Sequence, residues 1–221
     1  NVKALLDQYV RPLFEKEGYM RVRFPRIVGN PAEKVKGIDV HVTVSDGPMF
    51  KLGQINVRGA GAADSRRILR MANIDTRSSS YAINGDEINK GAGKIQDVLR
   101  SEGHLDAKVS LDKSIHDETS TVDVAYDVDP GPVYTFGKLT VAGLGLDGEA
   151  AIRKMWTVKA GDPYPANYPN YFVESVKKDG LFDNLGDIRA TPSVNRETQV
   201  VDVTLNFTSA SSVLNPRRRP L

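Results

Sequence analysis

The residues with the types and spacing to do chemistry are a glycine run, three histidines and three aspartates in matching surroundings. Gly143-Leu144-Gly145-Leu146-Asp147-Gly148 reads G-x-G-x-x-G between a strand-like and a helix-like stretch. In a dinucleotide-binding unit that spacing sets a pyrophosphate on the helix amides. Two features weigh against it. The corresponding stretch Gly59-Ala60-Gly61-Ala62-Ala63-Asp64 breaks the spacing while keeping its place, and a second helix follows where a Rossmann unit needs a parallel strand. His41, His104 and His116 have no metal-ligand spacing. Asp39, Asp123 and Asp202 each sit in an apolar-Asp-Val triplet on the polar face of an alternating strand, tens of residues apart, which suits solvent-facing or turn-binding structure better than paired acids. No serine sits in a nucleophile elbow. Asn206-Phe207-Thr208 is a glycosylation sequon only in form, inside a strand-like stretch. The expectation is no enzyme, no metal, no cofactor and no small-molecule substrate, with nucleotide binding through Gly143, Gly145 and Gly148 as the remote alternative.

Composition sets the frame for these residues. The chain has 221 residues, 40% hydrophobic and 26% charged, with a net charge of +2 that argues for no nucleic-acid partner. Cysteine is absent, which removes disulfides and thiolate metal sites. No apolar run reaches the roughly 18 residues of a membrane-spanning helix. Asn1 leads directly into an amphipathic pattern without a signal-peptide profile, so the chain reads as a processed or truncated piece.

The elements that position these residues come from periodicity. Val2, Leu5, Leu6, Tyr9, Val10, Leu13 and Phe14 lie on one helical face, and Pro12 within it predicts a kink or a break into two short helices. Gly18 ends the helix. Alternation then predicts strands over 19–27 and 38–44, with Asn30-Pro31 in a turn. Next come a strand over 54–58, a helix capped by Asp64 to about Met71, and a helix opened by Asn84 and Glu87 as a capping box and stopped by Gly103. Strands over 105–111 and 122–128 follow. The same order returns with a strand over 138–142, a helix capped by Asp147 to about Trp156, a rigid Gly161–Pro165 loop, a helix over 171–178 ended by Asp179-Gly180, and strands over 187–191 and 200–207.

This order is a repeat, and one stretch carries it. Val44–Gly59 returns as Val128–Gly143 without a gap, 84 positions later, with six of sixteen residues identical. Gly47-Pro48 and Gly131-Pro132 are the linkers: proline fixes φ and stiffens each crossing, while Gly59 and Gly143 turn the chain out of the strand. The pattern Gly-Pro-x-aromatic-x-x-Gly-x-(Ile/Leu)-x-Val-x-Gly, joining strand-helix-helix-strand-strand units, resembles the POTRA (polypeptide-transport-associated) repeats of outer-membrane protein assembly factors. The resemblance covers roughly residues 1–207. Gly161-Asp162-Pro163-Tyr164 matches the family's loop before its second helix, whereas the middle unit departs there with Asp75-Thr76-Arg77-Ser78-Ser79-Ser80-Tyr81.

The resemblance implies an α+β fold of tandem domains. Each would be β-α-α-β-β, a three-stranded mixed sheet covered by two helices, arranged as an elongated rod. The domains would be 1–47 (truncated: helix, strand, strand), 48–131 and 132–208, with a flexible tail 209–221 whose Arg217-Arg218-Arg219 reads as a solvated end rather than a lipid contact. It also implies a periplasmic location at the outer membrane, unfolded outer-membrane polypeptides and accessory envelope proteins as partners, and leaves open a C-terminal membrane barrel in the full-length protein. Docking in a two-partner secretion transporter or a cell-division envelope complex is the alternative.

Sheet edges are where such modules would take up peptide, by strand addition. Arg21, Arg23, Pro25 and Arg26 blunt the first unit's edge, and Pro192 is expected to end the third unit's strand early. The proline-free run Ala107, Lys108, Val109, Ser110 and Leu111 is the candidate peptide-binding edge. The stiff linkers predict small-angle scattering from a string of beads; a profile fitting one compact globule would refute that arrangement.

Overall fold

The computed structural model describes residues 2–32, 36–76, 83–178 and 185–209. The expectations for Gly180, for the 77–81 part of the middle loop and for the tail beyond Ser209 lie outside the described residues. The chain divides into two compact units, residues 1–96 with 109–129 and residues 97–108 with 130–221.

Helices α1 (Val2–Leu5) and α2 (Arg11–Lys16) are joined by a π turn over Leu6–Val10. Pro12 explains the break: it has no amide to donate, and its ring would strike the carbonyl four residues back. The backbone widens instead, and the Arg11 N–H reaches Leu6 O, five residues back. Strands β1 (Arg23–Pro31) and β2 (Ile38–Ser45) then pair antiparallel. β1 starts later than the alternation suggested: Met20 and Val22 are buried ahead of it, and the Val22 carbonyl accepts from Arg11 Nη1 at 2.8 Å. Asn30-Pro31 is not a turn but the strand's end, opposite Asp39 and Ile38, where a proline is tolerated. β2 alternates as expected, yet Ile38 is 71% and Val40 43% exposed.

The complete pattern follows twice. β3 (Lys51–Arg58), α3 (Ala62–Met71), α4 (Gly85–Ser101), β4 (Lys108–His116) and β5 (Thr121–Asp129) build a sheet of order β3-β5-β4, with β3 parallel to β5. β6 (Thr135–Ala142), α5 (Leu146–Met155), α6 (Tyr168–Lys178), β7 (Leu185–Asn195) and β8 (Val200–Ser209) build β6-β8-β7, with β6 parallel and β7 antiparallel to β8. The fold is α+β with mixed three-stranded sheets. Alternation on the central strands supplies each core: Val122, Val124, Tyr126 and Val128 in one, Val201, Val203, Leu205 and Phe207 in the other. Burying each such side chain is worth about 1.5–3 kcal/mol.

Two bulges account for the repeated glycines and aspartates together. The β3–β5 register slips between Leu52 and Ile55, and the β6–β8 register between Phe136 and Leu139. Each slip removes an amide from the ladder, and the central-strand aspartate recovers it. Asp123 Oδ1 accepts from the Gln54 N–H at 2.7 Å, and Asp202 Oδ1 from the Lys138 N–H at 2.9 Å. A Cβ at Gly53 or Gly137 would collide with that carboxylate oxygen. The aspartates are therefore structural. Gly59 and Gly143, at φ +87° and +89°, leave each strand so close to the Val128 and Phe207 carbonyls that no side chain fits.

The helix starts differ from the sequence reading. Asp64 and Asp147 are not caps. α3 begins three residues earlier and α5 two, with Gly61 and Gly145 at the cap position, and the acids lie in the first turn, where they favour the helix dipole. Asn84 does cap α4, accepting from the Asp86 and Glu87 amides, but the Glu87 carboxylate turns to Lys94 and leaves the box half made.

The two cores trade volume across one backbone plan. Leu52, Ala72, Gly91 and Tyr126 of the middle repeat hold the places of Phe136, Trp156, Phe172 and Leu205 in the last. In the last repeat Trp156 packs against Phe136, Tyr168 and Phe172 at ring separations of 5.6, 4.8 and 5.0 Å. In the middle repeat the Tyr126 hydroxyl takes the space over Gly91 and donates to Ile88 O at 2.9 Å. Burial pushes that phenol up to about 12. Gly137→Ala is expected to destabilise the chain by about 1–3 kcal/mol, because the carboxylate must give way. Gly93→Ala, on the exposed face of α4 where a Cβ meets open space, should not destabilise and is expected to gain up to about 1 kcal/mol. Urea denaturation of both variants checks the contrast.

Candidate peptide-docking edge

β4 lies at the end of its sheet, with β5 on one side and no further strand among the described residues on the other. Its side chains alternate strictly. Lys108, Ser110, Asp112, Ser114 and His116 are exposed, whereas Val109, Leu111, Lys113 and Ile115 are half-buried. Of the segment singled out as a docking edge, Lys108, Val109, Ser110 and Leu111 lie in β4 and Ala107 does not. Ala107 is buried and its amide donates to His104 O at 3.1 Å, so it belongs to the turn before the strand. The strand then runs five residues past Leu111, a length marked in the sequence only by Lys113 and Ile115 continuing the period of two.

Charged side chains tie β4 to its neighbours across the exposed face. The Arg58 guanidinium on β3 contacts Asp112 on β4 at 2.8 Å and Asp127 on β5 at 2.7 Å, and Asp112 foremost strengthens its hold on its proton. His116 Nε2 lies 3.0 Å from Asp123 Oδ2. The Gln54 amide first, and His116 after it, keep the Asp123 carboxyl below the usual carboxylate range.

The other edges are less open or were not foreseen. Pro192 does not end β7. The strand continues to Asn195 with Pro192 opposite Val203, and the proline is accommodated because an edge position needs no inward amide there. Pro25 sits in the register slip of β1. The start of β6 is covered by the 161–163 loop, with Phe136 N–H donating to Asp162 O and Gly161 N–H to Phe136 O, both at 2.8 Å. Sequence reasoning passed over β2, whose exposed Ile38, Val40 and Val44 flank an outer edge of their own.

The linker glycines Gly47 and Gly131 take φ of +77° and +62° ahead of Pro48 and Pro132, and both linkers lead into a buried aromatic. The Phe50 N–H donates to Gly18 O at 2.9 Å and its carbonyl accepts from Ile83. The Tyr134 N–H donates to Gly103 O at 2.8 Å and its carbonyl accepts from Tyr164. The run Gly143, Gly145, Gly148 forms the passage from β6 into α5, and α6 rather than a parallel strand comes next, so the crossover of a dinucleotide unit is not made. A cavity of 260 Å³ in the middle repeat, lined by Leu52, Ile83, Ile88 and Tyr126 with Glu87 and Lys94, lies where the last repeat packs its aromatic rings.

Comparison with known proteins places this geometry. Residues 50–131 match the POTRA family model, the surface antigen variable number repeat, and the order of elements in that segment returns in residues 135–209. Residues 50–131 are a POTRA repeat. Outer membrane protein assembly factor BamA of Neisseria meningitidis serogroup B is 20% identical over 205 residues, 92% of this chain and 25% of that protein. The chain thus spans a quarter of that relative's length. Among solved structures, BamA POTRA3-5 of Haemophilus influenzae has a TM-score of 0.54 at 18% identity, covering 91% of this chain and 78% of that one. BamA of Haemophilus ducreyi lacking POTRA domains 1-3 has a TM-score of 0.57 at 14% identity, covering 72% and 29%. These likenesses fix the POTRA fold. On a POTRA sheet with β5 at its centre, hydrogen exchange is expected to be slow along β5 and fast at alternate amides of β4, a pattern that uniform protection of β4 would contradict.

Proposed function

We propose that these POTRA repeats form a non-enzymatic scaffold on the periplasmic side of the outer membrane, taking up unfolded outer-membrane polypeptides by strand addition along β4 and meeting accessory envelope proteins there. The observation that carries this is the outer border of Lys108–His116: nine residues without proline, with half-buried Val109, Leu111 and Ile115 on one face. Main-chain bonding supplies affinity with little demand on client sequence, and the alternate apolar positions supply a modest preference. The assembly role of BamA, the relative named above, supports the location and the class of client.

The test uses two neighbouring prolines. Of the amides of Val109 and Ser110, one points to β5 and the other outward, so one of Val109→Pro and Ser110→Pro keeps the fold. That variant should bind an extended outer-membrane strand peptide at least about tenfold more weakly. Unchanged affinity with an unchanged circular dichroism spectrum would remove β4 as the docking edge.

A further inference from the structure

Two pairs of turns are held together by the same backbone device. In one, consecutive amides of Phe50 and Lys51 donate to Gly18 O, in the turn after α2, and to Ser120 O, in the β4–β5 turn, each at 2.9 Å. In the other, consecutive amides of Tyr134 and Thr135 donate to Gly103 O, in the turn after α4, at 2.8 Å and to Gln199 O, in the β7–β8 turn, at 2.9 Å. Gly18 and Gly103 share φ near +95°, and Ser120 and Gln199 are both left-handed at φ +49° and +56°. The clamp is thus the same to the residue.

The side chains that meet over it carry opposite signs. Three residues after Gly18 stands Arg21, and three before Ser120 stands Asp117. The guanidinium grips the carboxylate with two bonds, Nε to Oδ1 at 2.8 Å and Nη2 to Oδ2 at 2.7 Å. Three residues after Gly103 stands Asp106, and three before Gln199 stands Arg196. Here Arg196 Nη2 donates to Asp106 Oδ1 at 3.3 Å, and Tyr134 Oη donates to Asp106 Oδ2 at 2.6 Å. Basic-then-acidic in the first clasp becomes acidic-then-basic in the second. Both pairs are exposed, so neither is a main source of stability.

We propose that this charge inversion is a matching code, which directs each helix-end turn to its own hairpin turn and rejects the other. The wrong combinations set Arg21 against Arg196 and Asp106 against Asp117, like charges on a backbone clamp that would otherwise accept either hairpin. Repeats of one fold within one chain are prone to such mispairing, within a molecule or between two copies. Repulsion in the wrong pairing discriminates where attraction in the right one contributes little.

The experiment keeps the full chain and changes only signs. Arg21→Asp with Asp117→Arg preserves an ion pair at the first clasp but gives both clasps the same polarity, erasing the code. Adding Asp106→Arg with Arg196→Asp inverts both and restores it. Each protein is unfolded in urea, refolded at low and high salt over a range of concentrations, and scored for monomer by size exclusion. The erased variant should recover at most half the wild-type monomer at low salt, the doubly inverted one should return to wild type, and salt should narrow the gap. Equal recovery for all three overturns the proposal. So does a loss in the erased variant that double inversion fails to regain, since that traces the loss to local packing. The erased variant made at the second clasp alone gives an independent repeat should the first prove unstable.

Discussion

A glycine at positive φ turns its carbonyl outward at the end of a helix, and the amide of an aromatic residue about thirty positions later closes on it. Gly18 with Phe50 and Gly103 with Tyr134 make this bond, and much else in each unit is anchored there. The aromatic ring is buried, its own carbonyl holds the loop ahead of the repeat's second helix, and the amide after it pins the hairpin turn. One backbone bond thereby fixes where a sheet begins relative to the helix before it. The proline two residues ahead of each aromatic narrows the conformations from which that bond must form.

Within that frame the two complete repeats show what is fixed and what is free. The bulge, its glycine and its aspartate are kept because an amide left without a partner costs more than a side chain's freedom is worth. Core residues are exchanged more liberally, and the four exchanged positions carry less side-chain volume in the middle repeat than in the last. Tyr126 over Gly91 in one repeat and Phe172 beside Leu205 in the other solve the same packing problem from opposite sides. The middle repeat also sets Ala72 where the last has Trp156, and it holds a cavity lined by Leu52 and Tyr126.

How much of this was legible in the sequence follows from the range of the forces involved. The repeat, the order of elements and the central strands were readable, since they rest on period-two alternation and on glycine and proline chemistry. Helix starts were misplaced because Asp64 and Asp147 look like caps, yet the chain, once turned out of β3 and β6 at Gly59 and Gly143, is helical three residues later, with Gly61 and Gly145 at the cap position. The length of β4 was underestimated because Asp112-Lys113-Ser114 resembles a turn until cross-strand partners such as Arg58 are known. The reason for Asp123 and Asp202 was only half visible: a turn-binding role could be guessed, but a bulge on a strand 69 or 64 residues away is a property of register. The sign inversion of the two clasps could not be seen at all before the turns were brought together.

Trp156 is the chain's single tryptophan, and it sits inside the aromatic cluster of the last repeat. Its emission is therefore an optical channel for that repeat alone, while the remaining repeats contribute only tyrosine signal. An unlabelled sample carries a built-in means of watching one module loosen against a silent background.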